Sequence, residues 1–253
     1  MRILLSNDDG IHAPGLKVLE DIARTLSDDI WIVAPSEEQS GAGRSLTLSR
    51  PLRVRQFDAR RFAVSGTPTD AVMMALAQLM PAKPDLILSG VNRGANLAED
   101  VMYSGTVAAA MEGALAGIPS IALSQRYADT GLGDEVSFAA AEGWGERVLR
   151  PLLGREWTPG TVINVNFPPV PADAVKGVKV VRQGMRDYGR ARLEHRTDPR
   201  GFPYYWLSLG RIEHALAPGT DLAAVAEGYV TVTPLHLDLT HERSLEALRD
   251  AYL

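Results

Sequence analysis

Apolar positions along the chain follow two different periods, and the two alternate. Ile3 to Ser6, Ile30 to Ala34, Asp85 to Ser89, Ile118 to Leu123 and Thr161 to Phe167 are short apolar-rich runs. Runs of that length suit strands covered on both faces. Between them lie helical spacings. Gly15 to Leu26 carries Leu16, Leu19, Ile22, Ala23 and Leu26 on one stripe, and SGTPTDAVMMALAQLM opens with the start signals Thr67, Pro68 and Asp70. Further helices are predicted over Val107 to Ala116 and Glu135 to Leu149, and short strands over Leu52 to Phe57 and Phe62 to Val64. Buried strands alternating with helices imply parallel pairing through crossovers.

The pattern changes in the second half. Val178 to Arg182, Gly189 to Arg196 and Tyr204 to Leu209 read as strands, the last two joined through TDPRGFP as a hairpin arm. Leu222 to Ala226 reads as a short helix, Tyr229 to Thr233 as a strand and Arg243 to Leu253 as a terminal amphipathic helix. The expected fold is α/β: a Rossmann-like, doubly wound, mostly parallel sheet with a C-terminal β-hairpin arm and terminal helix. It forms one domain over residues 1–253, with an extension around 182–253. Tyr204, Tyr205 and Trp206 fit either a core or an oligomer contact, and core is the simpler reading for any one of them.

Composition narrows the chemistry. The net charge of -5 argues against DNA or a membrane surface as partner, and no 18-residue apolar stretch occurs. The amino end enters a strand at once without a leader-like segment, so a cytoplasmic protein is expected. With no cysteine, any metal has to be held by oxygen or imidazole. The five histidines show no H-E-x-x-H spacing, and neither a G-x-x-x-x-G-K-[ST] loop nor a G-x-S-x-G elbow is present. His12 reads most simply as a turn or helix-start residue, a role near a metal being the other reading.

The first strand runs directly into Asp8 and Asp9, followed by Gly10 and, at a helix start, Pro14. Two carboxylates at a strand's C-terminal end stand where an open α/β sheet binds its ligands, although Asp8 and Asp9 also suit capping of the next helix. Ser40, in the Gly-rich loop after the second strand, and Asn92, after DLILS, fall on the same sheet edge. Together they form an all-oxygen set that favours Mg²⁺ or Mn²⁺. Ser104-Gly105-Thr106 precedes a helix of small residues, an arrangement that offers N–H groups to an anion such as phosphate; simple N-capping by Ser104 is the other reading. Arg44 and Arg93 are local positive groups that either attract an anionic substrate or stand solvated.

The segments NDDGIHAPG, APSEEQSGAGRSLTL, SGTPTDAV, SGVNRGANLAEDVMYSGTVAAAMEG, NVNFP, DPRG before an aromatic strand, and DLAAVAEGYVTVTPL, in this order, closely resemble the SurE family of stationary-phase survival proteins. The resemblance extends to about residue 240. It implies a metal-dependent nucleotidase that releases phosphate from nucleoside 5′- and 3′-monophosphates and sometimes accepts short polyphosphate. It further implies one divalent metal ion per subunit, held by Asp8, Asp9, Ser40 and Asn92, with Asn96 and the Ser104-Gly105-Thr106 helix start holding phosphate. The implied assembly is a homodimer or homotetramer with exchanged C-terminal segments and arms. In that chemistry Asp8 or Asp9 orients or deprotonates a water, while N–H groups of Gly105 and Thr106 stabilise phosphate oxygens. Two other readings stand beside it: an aspartyl-phosphate phosphatase, which normally carries D-x-D, and a non-catalytic nucleotide or metal sensor that assembles through its arm.

Overall fold

Each apolar run serves two layers at once. In β1 (Arg2–Ser6), Ile3 and Leu5 pack into one core while Leu4 packs into another. In β2 (Asp29–Pro35), Ile30, Ile32 and Ala34 face the first core, and Trp31 and Val33 the second. Strands covered on both sides have no solvent face to mark with polar residues, so they read as continuous apolar runs. A computed structural model describes residues 1–127, 137–186, 191–209 and 216–252.

The remaining strands are β3 (Val54–Asp58), β4 (Arg61–Val64), β5 (Leu86–Arg93), β6 (Ser120–Gln125), β7 (Thr161–Phe167), β8 (Val178–Val180), β9 (Ala191–Thr197), β10 (Pro203–Leu209) and β11 (Val230–His236). Among the described residues the main sheet has nine strands in the order β3-β4-β2-β1-β5-β6-β7-β11-β8. From β4 to β7 all pairings are parallel; β3 on β4 and β11 on β7 are antiparallel. The chain winds outward from β1 through β2 in one direction and from β5 through β7 in the other. The gap between the C-terminal ends of β1 and β5 is therefore the switch point at which such sheets bind ligands.

The helices are α1 (Pro14–Arg24), α2 (Pro68–Met74), α3 (Gly105–Leu115), α4 (Ala139–Leu149), α5 (Asp221–Ala226) and α6 (Glu242–Ala251). Helices α1 and α4 lie together on the face of the first core; α2 and α3 lie on the other. Gly15 on α1 is fixed by contact, because a β-carbon there would stand 1.9 Å from the Val91 carbonyl oxygen of β5. A capping box opens α2: Asp70 N–H donates to Thr67 Oγ1, and Thr67 N–H donates to Asp70 Oδ2 at 2.8 Å. Among the described residues no helix is long and apolar enough to cross a membrane.

The α/β architecture, mostly parallel sheet and C-terminal hairpin agree with the expectation, with three corrections. Strand β5 continues past Ser89 to Arg93, because pairing with β6 resumes at Asn92↔Ser124 after an irregularity at Gly90 and Val91. The Tyr229 to Thr233 strand becomes β11, inserted between β7, to which it is antiparallel, and β8, to which it is parallel, an arrangement not foreseen. The arm aromatics Tyr205 and Trp206 are 60% and 59% exposed rather than core, because among the described residues β9 and β10 pair only with each other. The predicted helix start at Glu135, the strand start at Gly189 and Leu253 of the terminal helix lie outside the described residues.

Candidate active site

The acidic turn is built by Asn7. Its side chain is fully buried at the end of β1; Nδ2 donates to the Gly10 carbonyl at 2.9 Å, and Oδ1 accepts from Gly10 N–H at 3.2 Å. This reciprocal pair closes the turn around Asp8 and Asp9, a local use to which asparagine is well suited. Gly10 has φ of 100°, which favours glycine. The loop after β2 is tied to the same turn, because Gln39 N–H donates to the Asp8 carbonyl at 2.8 Å and Ile11 N–H to the Pro35 carbonyl at 2.8 Å.

The two carboxylates have different partners. Asp8, 5% exposed, lies against the start of α3, where Thr106 Oγ1 donates to its Oδ1 at 2.5 Å. Burial pushes the Asp8 carboxyl up to about 6; the Thr106 hydroxyl opposes that rise, and the neighbouring Asp9 charge adds to it. A β-carbon on Gly105 would stand 2.7 Å from Asp8 Cβ, so only glycine lets the helix approach this closely. Asp9 Oδ2 accepts from the Arg93 main-chain N–H at 3.0 Å. Burial raises its carboxyl too, against the favourable influence of Arg93, with Glu38 adding to the rise. On the Asp9 side a cavity of about 220 Å³ opens between Gly15 of α1, Glu38, Arg93 and Phe138.

The structure gathers the remaining candidates less tightly. Ser104 is the N-cap of α3, its hydroxyl accepting from Val107 N–H at 3.0 Å, so the capping role is real; Asp8 shares the same helix end. Ser40 is exposed and donates to Glu38 Oε1 at 2.8 Å. Asn92 Nδ2 donates to the Gly94 carbonyl at 2.8 Å, which leaves its Oδ1 as the atom for a ligand. Asn96 is buried and heavily engaged. Its N–H donates to Asn166 Oδ1 at 2.9 Å, its Nδ2 to Ser124 Oγ at 2.8 Å, and its carbonyl accepts from Asn164 Nδ2 at 2.8 Å and Asn166 Nδ2 at 3.1 Å. His12 is exposed and meets Phe57 edge-on, with ring centroids 5.3 Å apart. Arg44 lies near Glu112, countering the burial that raises that carboxyl.

Asn7, Asn164 and Asn166 were missed by the sequence reading. A signal existed in NVNF of β7, where two polar side chains alternate within an otherwise apolar strand and so share a face.

Among the described residues no group of three or more histidine and acidic side chains is placed to hold a metal ion. The oxygen donors nevertheless fit a hard cation: two adjacent carboxylates, both raised mainly by burial, next to an asparagine whose Oδ1 remains for a ligand. A divalent ion offsets two desolvated negative charges of this kind, with waters completing its shell.

The chain is 66% identical over 253 residues to the 5′-nucleotidase SurE of Rhizorhabdus wittichii and 58% identical over 253 residues to that of Erythrobacter litoralis, all of each chain being covered. The crystal structure of the SurE protein from Aquifex aeolicus superposes with a TM-score of 0.83 at 39% identity, covering 100% of both chains. The family model described as survival protein SurE matches residues 3–190. The chain belongs to the SurE family.

Proposed function

We propose that this protein is a 5′-nucleotidase, a divalent-metal-dependent phosphatase that converts nucleoside 5′-monophosphates to nucleoside and phosphate. The observation that carries the reading is the contact of Asp8 Oδ1 with Thr106 Oγ1, 2.5 Å apart, which joins the acidic turn to the N-terminus of α3 at the switch point. The names of the Rhizorhabdus wittichii and Erythrobacter litoralis relatives support it. We extend the same reading to nucleoside 3′-monophosphates and short polyphosphate, and to a cytoplasmic homodimer or homotetramer joined through the exposed arm.

In this scheme Asp8, Asp9, Ser40 and Asn92 hold one Mg²⁺ or Mn²⁺ ion. The chemistry such an ion supplies is Lewis acidity that offsets phosphate charge and makes water a better nucleophile. Asn96, Ser104 and the N–H groups of Gly105 and Thr106 hold phosphate oxygens with the help of the α3 dipole. Whichever of Asp8 and Asp9 keeps an oxygen free of the cation orients the attacking water and takes its proton. Phosphate monoesters hydrolyse so slowly unaided, with enhancements reaching about 10²¹-fold, that charge neutralisation and a positioned nucleophile are both required.

The test is phosphate release from a panel of nucleoside monophosphates by metal-stripped protein, with Mg²⁺ or Mn²⁺ returned, beside Asp8→Asn. Metal-restored turnover that collapses in the variant supports the proposal. Nucleotide binding without phosphate release under either ion refutes it in favour of a sensor.

A further inference from the structure

The loop between β5 and α3 bears proposed phosphate-binding groups at both ends, Asn96 at one and Ser104 to Thr106 at the other. Its middle is bent against backbone preference. Ala98 has φ of 53°, the sole non-glycine residue in the left-handed region among the described residues, where a β-carbon crowds the following carbonyl. It is buried, and both its main-chain groups are held from the C-terminal part of the chain. Its N–H donates to Asp221 Oδ2 at 2.9 Å, and its carbonyl accepts from Gln183 Nε2 at 2.8 Å.

Two side chains of the described residues, Asp221 and Arg186, take a large part in the hold. Asp221 is fully buried, and its other oxygen accepts from Gly184 N–H at 2.8 Å, so a single carboxylate joins the loop to the segment containing Gln183. Arg186 then closes over the same loop. Its Nη1 donates to Asp100 Oδ2 at 2.8 Å, to Glu99 Oε1 at 3.3 Å and to the Leu97 carbonyl at 3.3 Å, and its N–H donates to Glu99 Oε2 at 3.0 Å. Further along, the Tyr103 carbonyl accepts from Gly43 N–H at 3.2 Å, so a shift of the loop also reaches the segment that carries Ser40.

We propose that Arg186 and Asp221 are positioning residues for phosphate binding: they hold the Asn96–Ser104 loop in a shape Ala98 resists and so fix where the N–H groups of α3 begin. Neither residue touches substrate; both act through the loop. The inference rests on the nucleotidase reading for its role in catalysis, although its primary readout is phosphate affinity. Strain persists only where the surroundings over-determine it, and these bonds are part of those surroundings. Weakening the clamp lets Ala98 relax. Replacing Ala98 by glycine removes the strain, so the bent shape then depends less on the clamp.

Affinity for inorganic phosphate is measured by calorimetry in the presence of Mn²⁺, together with KM and kcat for a nucleoside 5′-monophosphate, for wild type, Arg186→Gln, Ala98→Gly and the double variant. Arg186→Gln is expected to weaken phosphate binding and raise KM together by about fivefold, the scale of the left-handed penalty for a non-glycine residue. The double variant is expected to recover most of that loss, a rescue that general destabilisation does not produce. Should Arg186→Gln fail to fold, Gln183→Leu, which removes one neutral bond at Ala98, is judged by the same criterion. Unchanged phosphate affinity in the folded clamp variant, or an undiminished loss in the double variant, overturns the proposal, as does absence of phosphate binding by the wild type. A wild type that binds phosphate but hydrolyses no nucleotide overturns the nucleotidase reading alone, because the affinity series still reports on the clamp.

Discussion

Gly105→Ala isolates how much the proposed chemistry depends on one close approach. The added β-carbon would lie 2.7 Å from Asp8 Cβ, 2.9 Å from Asp8 Oδ2 and 3.0 Å from Pro68 Cγ. Carbon atoms pack best at about 3.5–4.0 Å, so Asp8 and the start of α3 have to separate by roughly 1 Å. Overpacking of that kind costs about 1–3 kcal/mol, and the better helix propensity of alanine returns up to about 1 kcal/mol, leaving a modest net loss of stability. The effect on rate is larger, since displacing a reacting group by about 1 Å costs on the order of 10²-fold. The assay pairs thermal unfolding with kcat/KM for a nucleoside 5′-monophosphate. The expected result is a folded enzyme whose kcat/KM falls about 100-fold. Gly113→Ala serves as the control: on the same helix its β-carbon would meet Ser120 Oγ at 2.3 Å and Ile87 Cδ1 at 2.5 Å, away from Asp8, so stability drops more than activity of the folded fraction. A Gly105→Ala enzyme with wild-type kcat/KM would refute the assignment of α3's start and Asp8 to one reacting centre.

Other perturbations probe separate parts of the same structure. Asp8→Asn is expected to abolish turnover and also the rise in melting temperature that Mn²⁺ gives the metal-stripped wild type; a retained shift removes Asp8 from the cation site. For Asp70, burial raises the carboxyl, but hydrogen bonds from Thr47 and Thr67 outweigh it and hold the group below its ordinary value. A depressed carboxylate stabilises the fold above its unfolded pKa of about 3.9, and that contribution disappears as pH falls through the folded value. Asp70→Asn should therefore lower stability by about 1 kcal/mol at pH 7 and by progressively less below about pH 4, as read from urea unfolding at each pH. Equal losses at both pH values contradict this origin. Gly15→Ala drives a β-carbon to 1.9 Å from the Val91 carbonyl oxygen, so it should prevent α1 from seating on β5, and soluble expression with wild-type melting contradicts that packing.

The sequence made the centre of the sheet legible because burial on both faces leaves an unbroken apolar run. IWIVA admits hardly any other reading, and β2 occupies it with one residue added at each end. Asp8 and Asp9 stood out for a related reason, as adjacent charges at the end of such a run. The arm was harder. An apolar strand such as YYWLSL looks the same whether it joins the main sheet or stands away from it, since local pattern records that a face is apolar and not what covers it. Asn96 was approached only through resemblance, because its partners Asn164 and Asn166 lie 68 and 70 residues away. Asn7 went unnoticed because its contribution is a turn closed with Gly10 rather than a chemical group aimed at a ligand.

The insertion of β11 beside β7 sets an order of events for the newborn chain. Both carboxylates and the whole of α3 belong to the first half of the sequence, yet Ala98 is held by Asp221, 123 residues downstream. During synthesis, at about 5–20 residues per second, the acidic turn and the loop around Ala98 leave the ribosome well before Asp221, which holds that loop, exists. Contacts of such long sequence separation are slow to form because the intervening chain has to be ordered first. Catalytic competence should therefore arrive last, after the sheet centre is already assembled.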